Sequence, residues 1–247
     1  EARMPSKERV GTEDYPVGDR IRCYVVSVDN EARGPEIILS RSHPNFVRRL
    51  FESAVAEISD RTLDLRAVAR EAGYRTKVAV YTHHDKVDPV GACVGLRGAR
   101  VKNIVRELNN ERVDIIRWNE DVTEFVTEAL KPAIVRSLKL DEENRVVNVT
   151  VDEEDLSKAI GRRGQNARLT SKLTGWDVQV RKDESQHEQF EARVDDAATH
   201  LAEDLGIDDV VAGKLFRAGG VTVDMVAQMP ASYIADQIGV EVEEATR

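Results

Sequence analysis

The sequence predicts a multidomain α+β protein with a strand-rich opening segment, two copies of one α+β unit and a small all-α tail. Three observations lead there. The stretches "CVGLRGARVKNI" (93–104) and "AIGRRGQNARLT" (159–170) place the same apolar-Gly-x-Arg-Gly turn sixty-six residues apart, each between helix-like runs. The elements around each turn recur in one order, the mark of an internal repeat. Charge then divides the 247-residue chain: from Asp183 onward stand 15 acidic and 4 basic residues (net −11), whereas the remainder holds 32 basic and 30 acidic (net +2). The overall −9 therefore averages a near-neutral body with local basic clusters and an acidic tail.

Taken in order, residues 17–40 read as two strands. Ile21, Cys23 and Val25 alternate, "DNEARGPE" turns, and Ile37 to Leu39 return. Two strands are not stable alone, so they are expected to be the end of a barrel. The chain opens on "EARMPSKERV" and closes on "GVEVEEATR", both in mid-pattern, and reads as a piece of a longer protein. "HPNFVRRLFESA" spaces Phe46, Leu50 and Phe51 as a helix. A hairpin follows, with Leu63, Leu65 and Ala67 alternating, "REAGYR" turning and "TKVAVYT" returning. Asp88-Pro89 opens a short helix into the first glycine turn; "ARVKNIVREL" puts Val101, Ile104, Val105 and Leu108 on one helical face, and "RVDIIRW" is a strand.

The second copy reads the same way: "VTEFVTEALKP" helix, "AIVRSLKL" strand, "DEEN" turn, "RVVNVTV" strand, "EEDLSKAI" helix, the second turn, "QNARLTSKL" helix and "WDVQVRK" strand. Only "WNEDVTEF" joins the copies, too short for a flexible tether, so the opening strand segment and both copies are expected to form one elongated rigid body. "DESQHEQFEARVDD" reads as a helical linker, and short amphipathic helices broken at "LG", "AGG" and "MP" make the tail. Expected boundaries are 1–42, 43–118, 119–182 and 183–247.

Composition excludes several classes. No apolar run approaches the ~18–20 residues of a membrane span, and no basic-then-apolar leader opens the chain. Two cysteines, Cys23 and Cys93, are too few for a disulfide framework or a zinc knuckle. A cytoplasmic protein without membrane contact is expected. His83-His84 with Cys93 lacks a fourth ligand, and adjacent strand residues point to opposite faces; no metal or cofactor is expected. The acids of "DEEN" and "DEED" fit a hairpin turn and a helix start, where the dipole favours them, so no catalytic carboxylate pair is read from them. Trp118 and Trp176 lie at strand edges and read as inter-domain packing.

The paired turns carry the chemistry. A Gly-x-x-Gly between helices allows backbone angles that other residues resist and clears side chains from the amides. The helix that follows directs its free N–H groups and positive dipole end to the same spot. Arg97, Arg162 and Arg163 add groups that grip phosphate oxygens, and Val94, Ile160, Val101 and Ala167 would line a floor for bases. Glycines that merely let helices cross closely are the competing reading; repetition with arginine before each second glycine favours a phosphate site.

Both copies resemble KH domains, whose GXXG loop clamps the backbone of about four nucleotides of single-stranded RNA, in their bacterial form. "VGDRIRCYVVSVDNEARGPEIILSRSHPNFVRRLF", "GACVGLRGARVKNIVRELNNERVDIIRW" and "AIGRRGQNARLTSKLTGWDVQV" together resemble the NusA family of bacterial transcription factors, over about residues 1–182. The resemblance implies an OB-fold of the ribosomal-protein S-one type, represented here by its C-terminal part, then two KH domains. It implies RNA-binding residues at Val94, Gly95, Leu96, Arg97, Gly98, Arg100, Val101 and Lys102 in the first copy. In the second they are Ile160, Gly161, Arg162, Arg163, Gly164, Gln165, Asn166 and Arg168. Implied partners are nascent single-stranded RNA, RNA polymerase through a domain outside this sequence, and other elongation or antitermination factors. The implied role is modulation of pausing, termination and antitermination by a monomer that is not an enzyme. "LFRAGGVTVDMVAQM" resembles a helix-hairpin-helix turn, but its acidic setting would repel a polyanion and suits protein contact. Two other classes compete: an accessory region of a polynucleotide phosphorylase-like exoribonuclease, which orders KH before OB, and a KH-containing ribosome-associated protein.

Overall fold

Each repeat packs its helices on a three-stranded sheet. The computed structural model describes residues 2–29, 36–183, 196–197, 199–220 and 222–239 and divides into two units, Glu1–Lys182 and Asp183–Arg247. In the first repeat α1 (Pro44–Ala54) starts behind His43, whose Nδ1 accepts from the Asn45 amide at 3.1 Å, with proline at the first helical position. A short helix α2 (Ala56–Ser59) follows. Strand β4 (Asp64–Glu71) pairs antiparallel with β5 (Arg75–Tyr81), and β5 pairs parallel with β6 (Arg112–Arg117). Between β5 and β6 lie α3 (Pro89–Val94), capped by Asp88, and α4 (Ala99–Glu107).

The second repeat copies the plan. Helix α5 (Val122–Leu130), capped by Asp121, precedes antiparallel β7 (Val135–Asp141) and β8 (Val146–Val151), then α6 (Glu153–Ile160), α7 (Gln165–Thr174) and β9 (Asp177–Lys182) parallel to β8. The expected order of helix, two strands, two helices and strand is observed in the second copy, and in the first with the short α2 added between the opening helix and the hairpin.

One sequence expectation fails in an instructive way. The alternation Leu63, Leu65, Ala67 does not face a single core, because a bulge between Leu65 and Ala67 shifts the register. Leu63, Leu65 and Val68 pack with Phe46, Phe51 and Leu108 under α1 and α4. Ala67 and Ala69 point to the opposite face, where Phe125 and Ala129 of α5 and Leu169 and Leu173 of α7 cover them. A bulge adds one residue and so changes the side. The first sheet is thus covered on both faces, which is why Arg75 through Val80 are buried without a break. Helix α5 serves both repeats: Phe125 and Ala129 face the shared layer, Val126 and Leu130 the core of the second repeat. Trp118 packs against the shared layer and Trp176 against the second core.

Lys77 crosses this joint. Its side chain is 1% exposed, and Nζ donates to the Ala129 carbonyl at 2.5 Å, with Asp114 at 3.6 Å. Burial pulls its pKa from 10.5 to about 8, partly opposed by Asp114.

The opening segment forms a separate sheet in the order β1–β3–β2, from β1 (Ala2–Arg3), β2 (Tyr24–Asp29) and β3 (Glu36–Ser40). Ile21 and Cys23 precede β2 instead of alternating within it. The Arg22 carbonyl there accepts from Arg41, not from a neighbouring strand. Most of the expected "DNEARGPE" turn, 30–35, lies outside the described residues. Arg41 joins this segment to the first repeat, bonded to Glu13 at 2.5 Å and Glu107 at 3.1 Å. Behind it Glu111, fully buried, accepts from Arg70 (2.8 and 2.9 Å), the Gly73 amide (2.7 Å) and Thr76 (2.5 Å).

In the second unit residues 199–205 are helical (α8), followed by α9 (Asp209–Arg217), α10 (Val223–Ala227) and α11 (Ala231–Ile238) around Leu201, Ala212, Leu215 and Ile234. Gly220 allows the turn between α9 and α10, since a Cβ there would meet Val226 Cγ2 at 2.7 Å and the Leu215 carbonyl at 3.1 Å. The expected linker helix, 184–195, lies outside the described residues. Among the described residues no helix is long and apolar enough to cross a membrane.

Two outcomes follow from the buried charges. Glu111→Ala leaves Arg70 buried without its carboxylate and should cost about 3–5 kcal/mol, read by urea unfolding with fluorescence from Trp118 and Trp176. Lys77 binds its proton less tightly folded than unfolded, so between pH 8 and 10.5 the unfolded chain holds more protons and this residue makes stability rise with pH. Lys77→Met should remove that rise, on the order of 2 kcal/mol between pH 8 and 10. A wild-type minus mutant difference that stays flat with pH would contradict the assignment.

Candidate nucleic-acid interface

The two glycine turns share one backbone. In the first, Gly95 has φ 73° and ψ 173°, Arg97 φ 52° and ψ 26°, and Gly98 φ 77° and ψ 16°. In the second, Gly161 has φ 73° and ψ 173°, Arg163 φ 52° and ψ 32°, and Gly164 φ 74° and ψ 13°. The arginine before each second glycine is held in the left-handed region, a conformation that costs a non-glycine residue roughly 1 kcal/mol or more. Surrounding structure must impose it twice.

The glycines have different reasons to be there. A Cβ on Gly161 would stand 2.8 Å from Asn166 Cβ and 2.9 Å from its backbone nitrogen; one on Gly95 would stand 2.7 Å from Arg100 Cγ. The first glycine therefore gives room, and its φ of 73° with ψ of 173° is itself a conformation open essentially to glycine alone. The second needs no room, since a Cβ on Gly98 or Gly164 meets nothing closer than the end of Lys102 (3.5 Å) or Arg168 (3.7 Å); it supplies positive φ. Close helix crossing is thus real at the first glycine and does not account for the second.

Matching side chains brace each turn. Arg100 donates to the Ala92 carbonyl at 2.7 Å, and Asn166, at the equivalent place, to the Lys158 carbonyl at 3.0 Å. Lys102 donates to the Arg97 carbonyl at 3.1 Å, and Arg168 to the Arg163 carbonyl at 3.2 Å. Arg100 is further paired with Glu57 at 3.0 Å, and Asn166 with the Leu130 carbonyl at 3.1 Å. Asn166 is 1% exposed, so the structure places it beneath the turn as a brace, and its Oδ1 has no partner among the described residues. Gln165 and Arg168 reach Glu71 of the first repeat at 2.8 and 2.6 Å. The bond from Arg168 holds the Glu71 carboxyl below the usual range against its partial burial.

What remains open is the face of each turn. Helices α1, α3, α5 and α9 are closed at their N-termini by a His or Asp side chain. Helices α4 and α7 begin at Gly98 and Gly164 with no side-chain cap, as does α6 behind Asp152. The first amides of α4 and α7, those of Ala99 and Gln165, donate to the Leu96 and Arg162 carbonyls of the turns themselves, so what each turn presents to an anion is the positive end of its helix dipole. Arg97, Arg162 and Arg163 stand exposed beside them, and none makes an ion pair among the described residues. Leu96 is 86% exposed, Ile160 is exposed at the start of the second turn, and Val94 and Val101 are half-buried.

The surroundings differ. Beside the second turn lies a groove of about 980 Å³, walled by the first repeat through Glu71, Tyr74, Arg75 and Arg112. No local spacing could have revealed these residues, because the hairpin that carries Glu71, Tyr74 and Arg75 lies some ninety positions upstream of the turn and Arg112 some fifty. The metal reading finds no support in geometry: Cys93 is a core residue whose thiol burial pushes up to about 12, and His83 packs against Tyr81.

Comparison with known proteins supplies the lineage. Residues 41–118 match the NusA-like first KH domain and residues 122–188 the NusA-like second KH domain. The transcription termination/antitermination protein NusA of Halalkalibacterium halodurans is 46% identical over 212 residues, 86% of this chain and 55% of that protein. The protein of the same name from Bacillus subtilis is 47% identical over 183 residues (74% and 49%), and that from Mycobacterium bovis 47% over 184 (74% and 53%). The chain spans about half the length of the curated relatives it matches. With both KH domains matched in tandem order over more than half of its residues, and with relatives of near-half identity along most of its length, the chain belongs to the NusA family.

Proposed function

We propose that the chain is the RNA-binding part of a transcription factor, holding nascent single-stranded RNA on its two glycine turns. Together with RNA polymerase it modulates pausing, termination and antitermination. The carrying observation is the repeated turn itself, in which a helix start without a side-chain cap and exposed arginine, in no ion pair among the described residues, stand on the same strained backbone twice. Guanidinium groups beside the positive end of a helix dipole bind phosphate oxygens without regard to base. The relatives' name, transcription termination/antitermination protein, supports the polymerase context. In this reading the residues bind and position RNA and catalyse nothing, and the setting is the cytoplasm. The polymerase and other elongation factors are reached through parts of the protein beyond the two KH domains.

Arg162 and Arg163 carry the second site. Changing both to Asp keeps Gly161 and Gly164, and Asp tolerates the left-handed angle at position 163, so the fold should survive. Each phosphate contact to a single strand contributes about −0.7 to the slope of log affinity against log salt. The double variant should flatten that slope by about 1.4 and weaken binding to all single-stranded RNAs alike. Arg97→Asp should flatten it by about 0.7. Salt titrations of RNA binding, with circular dichroism to confirm folding, make the measurement. A folded double variant with wild-type slope and affinity would refute the site.

A further inference from the structure

We propose that Tyr74, on the hairpin of the first KH domain, is a stacking platform for a base of the RNA strand whose phosphates lie on the second domain's turn. The second cleft is then completed by the first domain. This rests on the reading of the Gly161–Gly164 turn as a phosphate clamp and adds to it a base contact from the other repeat.

Three observations carry the assignment. The groove beside the second turn is shared: Arg162 and Arg163 wall it on one side, and Tyr74 and Arg112 on the other. Its lining holds six basic side chains against one carboxylate, and that carboxylate, Glu71, is engaged by Arg168 and Gln165. Four of those basic side chains are themselves paired, Arg75 and Arg112 with Asp114, Lys158 with Asp155 and Arg168 with Glu71, so the charge left to meet a polyanion is that of Arg162 and Arg163. Tyr74 is the one aromatic residue among those walls, and it is 65% exposed.

That exposure is imposed by a fixed backbone. The Tyr74 amide donates to the Glu71 carbonyl at 3.0 Å, and its carbonyl accepts from the Arg112 amide at 3.1 Å. The preceding Gly73, at φ +82°, donates to buried Glu111 at 2.7 Å, and a Cβ there would meet Thr12 Oγ1 at 2.3 Å. The ring therefore sits on an anchored turn with only two side-chain torsions left to order, a low entropic cost for a contact residue. An apolar face at the edge of a cationic groove suits a ligand with both a flat ring and a phosphate. A nucleotide within a strand has both; inorganic phosphate has only one. Base–aromatic stacking tolerates any base, so Tyr74 adds affinity and register without demanding sequence.

The test uses the whole chain and an unstructured RNA of about ten nucleotides, titrated by fluorescence anisotropy. Tyr74→Ala should weaken binding between about 5-fold and 150-fold, the range for loss of one stacked base. It should leave the salt slope unchanged, because no phosphate contact is lost. Tyr74→Phe should bind like the wild type, since the ring face and not the hydroxyl is used. In a series with one abasic position moved along the RNA, one position should weaken wild-type binding and have no effect on Tyr74→Ala, the coupling expected of two groups in contact. On the wild-type chain, RNA carrying 5-iodouridine at that position should photo-crosslink to Tyr74, a readout that stands even if Tyr74→Ala does not fold. Loss of binding in Arg162→Asp/Arg163→Asp with full binding in Tyr74→Ala would overturn the platform and leave the phosphate clamp standing. Full binding in both would overturn both. Loss in Tyr74→Phe equal to that in Tyr74→Ala, or crosslinks that avoid Tyr74, would overturn stacking.

Discussion

The C-terminal end of α5 is where the two KH domains and the second glycine turn meet. A helix leaves its last carbonyls without intrahelical partners, and here those carbonyls are buried. The Ala129 carbonyl takes Lys77 from the first sheet and Thr170 from α7; the Leu130 carbonyl takes Asn166. Asn166 in turn binds the Lys158 carbonyl and fills the space that Gly161 vacates. One helix end thus fixes both the seat of the second domain on the first and the shape of the second turn. A positive group at the negative end of a helix dipole is favourable, which offsets part of the cost of burying Lys77. Without that joint, Phe125, Ala129, Leu169 and Leu173 would lose the sheet face they cover.

Seen from this joint, the two turns are equal in backbone and unequal in setting. The first is braced from within its own domain, Arg100 being held by Glu57. The second is braced across the domain boundary, with Glu71 of the first domain holding Gln165 and Arg168. The first turn offers Arg97 and an exposed Leu96; the second offers two arginines and faces a basic groove. A strand lying along the second turn would therefore meet groups from both domains. The tandem arrangement thus decides which side chains surround the second turn.

Buried ion networks do the corresponding work on the other side of the first domain. Arg41 bridges Glu13 and Glu107, and Arg70 with Glu111 lies directly behind it. These pairs have little exposed surface, so their energetic weight comes from the cost of breaking them, not from any surplus over an apolar contact. They orient the opening sheet, and through the Gly73 amide they also fix the hairpin that carries Tyr74.

The sequence by itself determined the repeat, its element order and the chemistry of the turns. Helical and strand periodicities are local, as are Asp88-Pro89 as a helix start and the need for glycine at a left-handed position, so each can be read within a few residues. The same local logic picked out Arg97, Arg162 and Arg163 as exposed cations. Tertiary structure alone decided the rest. Leu63, Leu65 and Ala67 look like one face until the bulge sends Ala67 to a layer that exists only because α5 and α7 cover the first sheet. Asn166 looks like a contact residue until α5 supplies the carbonyl that draws it inside. Tyr74 is an ordinary hairpin residue until a turn some ninety positions downstream is brought opposite it. Periodicity reports what a residue's own segment wants, whereas burial and pairing depend on which distant segment arrives, and that is set only when the two domains pack.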